Sequence, residues 1–262
     1  MENSNISWTN HTFNCWIGCT KVSCGCRLCY SEDKCDKRLG WVKWGEKSPR
    51  IPTKSQYRRA PHRWNKKAVA SGKRPRVFCS SLSDVFDQHP SIDPAWKSEL
   101  WQTMRETPGL DWLVLTKRPE HVMADLNRFS GGLPPPNVWL GFSAEDQDCF
   151  DQRWALVRDL PFRIKFVSYE PALGPVRLGP DQKGRLSWVI FGGETSRQRE
   201  ESRPADLDWA RQTRDDCRAI GAAFWFKQTG NWIDGRWYGK SSAVFKARHD
   251  LLDGVRIQEL PE

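Results

Sequence analysis

The residues with the clearest chemical potential are cysteines, six of which lie within the twenty-one residues from Cys15 to Cys35. The other three cysteines, Cys79, Cys149 and Cys217, are scattered singly through the 262 residues. Thiols this close together predict a disulfide framework, a zinc site or an iron–sulfur cluster. The choice among these three largely decides what the protein does.

A disulfide framework is the least favoured of the three. The first residues, Met1–Ser7, contain neither the basic nor the apolar stretch of a secretory signal peptide. No apolar run approaches the roughly 20 residues that span a bilayer. We therefore expect a cytoplasmic protein with no membrane partner, and thiols stay reduced in that compartment. The odd number of cysteines points the same way.

The spacing leaves zinc and iron–sulfur both open. Structural zinc takes four ligands, which Cys15 with Cys19 and Cys26 with Cys29 would supply. A cluster for radical chemistry needs three thiolates and leaves one iron for a small molecule. Cys19, Cys26 and Cys29 offer that set, and the last two have the Cys-x2-Cys spacing common among cluster ligands. Location is the better guide, because a reactive cluster must face a substrate pocket whereas structural zinc need not.

Strands and helices that would position these cysteines alternate along the chain from residue 76 onward. Apolar runs predict strands, and polar segments of helical periodicity separate them. The strands are predicted at Arg76–Cys79, Trp112–Leu115, Val138–Gly141, Ile164–Val167, Trp188–Phe191 and Ala223–Phe226, and the helices at Pro94–Glu106, Pro119–Phe129, Glu145–Asp159 and Asp206–Ile220. With one more strand near Ile6–Phe13, this gives six or seven βα units. The predicted fold class is α/β, a partial or near-complete (β/α) barrel, with an open doubly wound sheet as the alternative.

Polar residues follow each predicted strand within a few positions. They are Ser80, Ser81 and Asp84; Thr116, Lys117 and Arg118; Ser143 and Glu145; Ser168 and Glu170; Gly192, Gly193 and Glu194; and Lys227 and Gln228. Functional groups of barrel enzymes lie at the carboxyl ends of the strands, so parallel strands would bring these groups to one rim. The loop after the first strand would bring the cysteines to the same rim.

Three of these strand ends suggest specific contacts. The pair Gly192-Gly193 would let a ligand approach the backbone, and Glu194 could bind an ammonium group. Lys117 and Lys227 could neutralise a carboxylate or a phosphate. A simple turn and ordinary salt bridges are the alternative interpretations.

Positive charge and tryptophan suggest the partner. The chain has 41 Lys and Arg against 32 Asp and Glu, and residues 31–75 are strongly basic. Five of the fifteen tryptophans stand beside basic residues or glycines: Trp41, Trp44, Trp64, Trp232 and Trp237. Such interleaving predicts a nucleic-acid or nucleotide partner, with a plain solvated surface and core aromatics as the alternative.

The basic segment and the C-terminal stretch differ from the rest. We interpret residues 31–75 as a surface insertion after the cysteine loop, with short helices around 30–39 and 62–71 broken by Pro49, Pro52 and Pro61. Residues 1–230 would form the barrel with this insertion. In residues 231–262 helical periodicity is lost, and turn signals predict a hairpin that closes or covers the barrel.

The cysteine motif also resembles a known family. Gly18-Cys19-Thr-Lys-Val-Ser-Cys-Gly-Cys26-Arg-Leu-Cys29-Tyr, preceded by Trp8-Thr-Asn, is similar to the signature of a phage-associated, three-cysteine radical-SAM-like family. The similarity extends over essentially the full length. It continues through Ser81–Phe86, Leu115–Glu120, Asn137–Gly141, Phe166–Pro175, Trp188–Glu194, Phe226–Gln228 and Leu251–Gly254.

This resemblance implies a radical-SAM-type barrel with a [4Fe–4S] cluster on Cys19, Cys26 and Cys29 and S-adenosylmethionine on the fourth iron. Reductive cleavage would give a 5′-deoxyadenosyl radical that abstracts hydrogen from the substrate. The cofactor contacts expected at the strand ends are Ser80, Ser81 and Asp84 at the ribose or amino-acid part, Gly192, Gly193 and Glu194 near the methionyl ammonium, and Lys117 and Glu170 inside the rim. Candidate catalytic side chains are Lys117, Glu170 and Lys227.

The motif departs from the general radical-SAM pattern in one way and from the signature of the similar family in another. The first gap between ligands is six residues instead of three, and Cys24 stands where the family has proline. Cys15 and Cys35 are additional thiols with no assigned role.

The expected reaction is a base modification or a lyase-type DNA repair, with electrons from a flavodoxin or ferredoxin. The alternative is a zinc-stabilised nucleic-acid-binding protein without redox chemistry.

Overall fold

The computed structural model describes residues 1–197 and 201–261. Residues 198–200 of the predicted barrel and Glu262 of the predicted extension lie outside the described residues. The chain divides into two compact units, each described here by itself. The first unit comprises Met1–Val22, Cys29–Gly141 and Leu160–Arg163; the second comprises Ser23–Leu28, Phe142–Asp159 and Ile164–Glu262.

Strands and helices alternate as the apolar pattern predicts. The strands are β1 (His11–Phe13), β2 (Trp16–Ile17), β3 (Ile51–Pro52), β4 (Arg76–Cys79), β5 (Asp111–Thr116), β6 (Val138–Ser143), β7 (Lys165–Tyr169), β8 (Trp188–Gly192), β9 (Ala223–Gln228), β10 (Trp232–Ile233) and β11 (Arg236–Trp237). The α-helices are α1 (Tyr30–Glu32), α2 (Ser55–Arg58), α3 (Ala60–Ser71), α4 (Pro94–Glu106), α5 (Val122–Phe129), α6 (Gln147–Val157), α7 (Leu207–Ile220) and α8 (Ala243–Arg248). A π-helical turn, Asp33–Arg38, follows α1, and 3-10 turns lie at Cys24–Cys26, Pro119–His121 and Pro180–Gln182.

Seven strands form one sheet in the order β1-β4-β5-β6-β7-β8-β9. In the first unit β4 pairs in parallel with β1 and with β5, and in the second unit β8 pairs in parallel with β7 and with β9. Parallel neighbours require crossover connections, which the helices provide. The order never reverses along the chain, whereas a doubly wound sheet has a reversal point. The α/β class is confirmed, and the strand order is that of a partial barrel.

Each unit buries its strands through aromatic packing. All six residues of β6 and all five of β8 are buried, as expected for parallel strands covered on both faces. In the first unit the ring of Phe13 meets Trp112 edge-on, with centroids 5.5 Å apart. In the second unit Trp188 meets Trp225 edge-on at 5.9 Å. Most of the unusual tryptophan content is therefore core.

Two expectations for the basic segment are corrected. Pro61 does not break a helix: it lies in the first turn of α3, where its missing N–H removes no helical hydrogen bond. Trp64, counted among the aromatic–basic pairs, is buried on the inner face of α3 and stacks on His11 at 4.5 Å. It is a core residue and presents no free ring face to a nucleotide.

The C-terminal stretch contains the predicted hairpin. β10 and β11 pair antiparallel, Trp232 opposite Trp237, around Asp234 and Gly235, which have φ values of 51° and 72°. Positive φ at both central residues is typical of a type I′ hairpin turn. Farther on, the chain runs antiparallel along β9: the N–H of Phe226 donates to the carbonyl of Ile257 (2.9 Å), and the N–H of Glu259 donates to that of Phe224 (3.1 Å). This segment covers the outer edge of β9.

Among the described residues, no helix combines the length and the apolar character needed to cross a membrane.

Candidate functional site

None of the nine cysteines, all of which lie within the described residues, forms a disulfide, and they differ in exposure. Cys15, Cys35, Cys79 and Cys217 are buried, and Cys24 is exposed. The three predicted cluster ligands, Cys19, Cys26 and Cys29, are partly exposed, as is Cys149. The three thiols that the spacing favours are therefore neither sealed in the core nor cross-linked.

In the first unit, Cys19 lies at the carboxyl ends of β4 and β5. The N–H of Gly18 donates to the carbonyl of Leu82, which follows β4 (3.1 Å). Arg118, which follows β5, donates from Nη1 to the Sγ of Cys19 (3.4 Å) and from Nη2 to the carbonyl of Thr20 (2.8 Å). The cysteine segment is thus tied to the strand edge where barrel enzymes hold their functional groups.

Asp84 anchors this arginine. Its Oδ1 accepts from the N–H of Phe86 (3.0 Å) and the hydroxyl of Thr116 (2.8 Å), and its Oδ2 accepts from the N–H of Lys117 (3.0 Å) and Nη1 of Arg118 (3.1 Å). A carboxylate has about four acceptor positions. In this structure all four are used by the chain itself, so Asp84 organises the end of β5.

A second buried pair extends the network to the other side of the cysteine segment. Arg50 Nε donates to Asp87 (2.7 Å), Nη2 to the hydroxyl of Thr20 (2.7 Å) and Nη1 to the carbonyl of Gly45 (2.8 Å). Arg50 belongs to the basic segment, which was expected at the surface, yet it is only 2 % exposed. That expectation is wrong for Arg50, because Asp87 and three further acceptors compensate its burial.

Burial dominates the acid–base chemistry of the thiols. Burial raises the pKa of Cys19 to about 12, although the Arg118 guanidinium opposes the shift. Burial also raises the pKa of Cys15 to about 11, and the Cys15 thiol donates to the carbonyl of Trp96 (3.4 Å). Both groups are neutral thiols near pH 7, and a metal ion would have to displace their protons on binding.

Ser80 and Ser81 follow β4 in the same unit. The carbonyl of Ser81 accepts from the hydroxyls of Tyr30 (2.6 Å) and Ser31 (2.7 Å), and its own hydroxyl accepts from Asn14 (3.1 Å). Ser80 is buried, with its hydroxyl 3.5 Å from the Cys79 sulfur. These contacts attach the residues just after Cys29 to the end of β4.

In the second unit, residues 23–28 contact the residues that follow β6 and β8. The hydroxyl of Ser23 donates to Glu145 Oε1 (2.6 Å) and lies 3.7 Å from the Cys26 sulfur. Glu145 is fully buried and also accepts from Arg153 (2.7 Å). Gly25 packs so closely on the Glu145 side chain that a Cβ there would overlap it. This unit, taken alone, also attaches its part of the cysteine segment to carboxyl ends of strands.

Glu194 is engaged by arginines. Arg203 donates to Glu194 through its backbone N–H (2.8 Å) and Nε (2.9 Å), and its Nη2 also contacts both Glu194 Oε1 and the carbonyl of Cys24. Arg27 lies 3.8 Å from the same carboxylate. The predicted contact of Glu194 with a methionyl ammonium would compete with these guanidinium groups, and it stays a prediction.

The remaining candidates of the second unit surround β8 and β9. Lys227 pairs with Glu170 (2.5 Å), and the hydroxyl of Ser168 donates to the same carboxylate (3.1 Å). A Cβ on Gly192 would overlap Glu170, and one on Gly193 would overlap the backbone of Thr229. Gly193 is therefore required for close packing against backbone, so a close approach by a ligand is not needed to explain it, whereas Gly192 faces the end of a flexible side chain.

The donor chemistry of the cysteine segment fits an iron–sulfur cluster. Three partly exposed thiols that form no disulfide lie within eleven residues, 19 to 29, and the last two have the Cys-x2-Cys spacing that clusters use. Across residues 1–197 and 201–261, no group of three or more Cys, His, Asp or Glu side chains is placed to hold a metal ion. The fit is one of donor type and accessibility.

Sequence reasoning missed the arginines. In the sequence Arg118 is marked only as a strand-end residue, by its position directly after Lys117. Arg50 lay hidden among many basic residues. Arg203 follows Glu194 by nine positions in a stretch without periodicity, so no pattern in the sequence marked it.

Comparison with known proteins gives one match. A family model described as "Protein of unknown function (DUF5131)" matches residues 3–261. No curated protein matches the chain, and no solved structure matches it. Because the match covers nearly the whole chain, the protein belongs to the DUF5131 family.

Proposed function

We propose that this protein is a radical S-adenosylmethionine enzyme acting on a nucleic acid or nucleotide. Cys19, Cys26 and Cys29 would hold a [4Fe–4S] cluster, with S-adenosylmethionine on the remaining iron. When bound and reduced, this pair supplies a 5′-deoxyadenosyl radical. The expected reaction is a base modification or a lyase-type repair, and the electron donor a flavodoxin or ferredoxin.

One observation carries the proposal: each unit, independently of the other, ties its part of the cysteine segment to carboxyl ends of parallel strands. In the first unit Arg118 bonds Cys19 and Thr20; in the second Glu145 bonds Ser23. Reactive groups of barrel enzymes lie at this edge, whereas structural zinc has no such requirement. The position of the cysteine segment therefore favours a reactive metal centre over a structural zinc site.

The side chains have distinct roles in this proposal. Arg118 would donate to the Cys19 sulfur and stabilise its thiolate form, because a cationic donor favours the charged acceptor. Asp84 would hold Arg118 in place through their contact at 3.1 Å. Lys227 and Glu170, which pair at 2.5 Å and remain partly exposed, could hold or transfer a proton at the substrate.

The structure disfavours Cys15 as a ligand of the alternative zinc site. The four-thiol set needs Cys15, whose side chain is 1 % exposed and donates to the carbonyl of Trp96. Recruiting it would require a core thiol to lose both its packing and its proton. A zinc site on the other three cysteines would need a different fourth ligand, and the exposed Cys24 is the nearest thiol along the chain, so the Cys24→Ala variant also tests this alternative.

Anaerobic reconstitution with iron and sulfide tests the proposal. The parent protein should become brown, bind about four iron and four sulfide per chain, and release 5′-deoxyadenosine with dithionite and S-adenosylmethionine. Changing Cys19, Cys26 or Cys29 to Ala should abolish both results. Cys24→Ala is the matched control from the same turn and should retain both.

Two results would refute the proposal. One is a colourless protein with about one tightly bound zinc. The other is a cluster that survives all three single substitutions, or that disappears in the Cys24→Ala control.

A further inference from the structure

The net positive charge of this protein comes from one segment. Residues 31–75 contain fourteen Lys and Arg against four Asp and Glu, whereas the other 217 residues contain 27 against 28. The whole net charge of +9 therefore arises in the first unit, between the cysteine segment and β4. Such a concentration creates a local field suited to a polyanion.

Several of these cations are already used within the chain. Arg50 is buried against Asp87, and other pairs engage Lys43, Arg58, Lys67 and Arg74. Lys37 and Arg38, at the end of the π-helical turn, are exposed and make no ion pair with any described residue. They are free to contact an external anion.

Trp41 stands beside them. It is the most exposed of the fifteen tryptophans, all of which lie within the described residues, and 53 % of its surface is accessible. The Lys34 ammonium lies 5.9 Å from its ring centroid, a cation–π contact. The N–H of Trp41 donates to the carbonyl of Cys35 (2.7 Å), so the backbone that carries the ring is fixed to the π-helical turn.

We propose that Trp41, Lys34, Lys37 and Arg38 form a docking site for single-stranded nucleic acid. An unpaired base stacks on the Trp41 ring, and the adjacent phosphates contact the three cations. A ring face can receive a base only when that base is unstacked, which favours a single strand over a duplex. A duplex would gain the phosphate contacts and lose the stacking.

The site adjoins the cysteine segment within the same unit. The N–H of Gly45, four residues beyond Trp41, donates to the carbonyl of Cys19 (3.1 Å). The same Gly45 accepts from Arg50, which also bonds Thr20. The loop from Trp41 to Gly45 is therefore hydrogen-bonded to Cys19, the first predicted cluster ligand. The inference deepens the proposed function by naming how its nucleic-acid substrate is held.

Binding without turnover tests the inference. Fluorescence anisotropy would follow a labelled oligothymidylate of about 12 nucleotides on the full-length, anaerobically reconstituted protein. Trp41→Ala should weaken binding about 5- to 150-fold, the range for loss of one stacked base. Trp41→Phe, which keeps an aromatic ring, should retain most of the affinity of the parent protein. Because Trp41 is exposed, thermal melts of these variants should match the parent.

Salt dependence tests the cations. Lys37→Gln should lower the slope of log Kd against log salt by about 0.7, the value for one phosphate contact on a single strand. Lys183→Gln, which removes an exposed lysine from the second unit, is the matched control and should leave the slope unchanged.

Three outcomes would overturn the inference. The first is equal affinity of Trp41→Ala and the parent. The second is tighter binding of a duplex than of the single strand. The third is binding to anionic lipid vesicles but not to the oligonucleotide. All three are measured without turnover. If the radical reaction fails while Trp41 still contributes to oligonucleotide binding, the proposed function is refuted and this inference is not.

Discussion

Replacing Asp84 by Asn removes one charge from a buried network while keeping its shape. Asp84, Asp87, Arg50 and Arg118 are each less than 10 % exposed, and they balance as two anions and two cations. After Asp84→Asn, two guanidinium groups face a single carboxylate. An uncompensated buried charge of this kind costs about 3–5 kcal/mol.

Hydrogen-bond chemistry adds to the charge effect. Asp84 accepts four bonds, two on each oxygen. An Asn side chain keeps one acceptor oxygen and turns two donor hydrogens toward the other pair of donors, the N–H of Lys117 and the guanidinium of Arg118. We therefore expect the free energy of unfolding to fall by at least about 3–5 kcal/mol.

Urea unfolding followed by circular dichroism would measure this change. Asp159→Asn is the matched control, because Asp159 pairs with Arg185 at the surface, where such a pair contributes below about 1 kcal/mol. Adding Arg118→Met to Asp84→Asn should recover part of the lost stability, since it removes the unpaired cation. A loss below about 1 kcal/mol for Asp84→Asn would refute the reasoning. Unchanged stability with weaker S-adenosylmethionine binding would instead make Asp84 a cofactor ligand.

Three further predictions follow from burial and close packing. Lys97→Met should lower the free energy of unfolding by about 3–5 kcal/mol in thermal or urea melts, because it leaves the buried Asp125 carboxylate, 2.6 Å from the Lys97 ammonium, without its cation; an unchanged melt would contradict this. Gly193→Ala should yield a protein that melts several degrees lower, since its Cβ overlaps the Thr229 carbonyl and backbone cannot give way as a side chain can; wild-type melting would show that this loop yields. Burial raises the pKa of Tyr57 from 10.0 to about 12, so its protonated form stabilises the fold fully below pH 10 and this contribution is lost as pH rises toward 12; Tyr57→Phe should show a shallower decline of stability over that window, and parallel declines would contradict the assignment.

Much of the fold could be predicted because the strands are buried on both faces. Runs such as Trp188–Phe191 are continuous and apolar, and the structure extends that strand by only one residue, to Gly192. The first strand was predicted too long: it covers His11–Phe13 alone. The sequence around this strand lacks a continuous apolar run. Its ends are set only by its pairing with Val77–Cys79 on β4.

The supporting residues of the site could not be predicted in the same way. Cysteine spacing and strand ends mark positions along one dimension, whereas the Asp84–Arg118 contact depends on the lateral register of two strand ends. Arg50 illustrates the opposite error. A basic run predicts a solvated surface on average, yet one of its members is buried because Asp87 compensates it at 2.7 Å.

The antiparallel segment beside β9 occupies a sheet edge that could otherwise pair with another chain. A parallel sheet that ended at β9 would expose a row of N–H and C=O groups to any other extended chain. Ile257 and Glu259 occupy that row through their own backbone, and a Glu259 carboxylate oxygen accepts the N–H of Phe224 as well (2.9 Å). The segment therefore competes, within the same chain, with any strand that could add to this edge, and its removal would leave the backbone groups of β9 open to pairing with another chain.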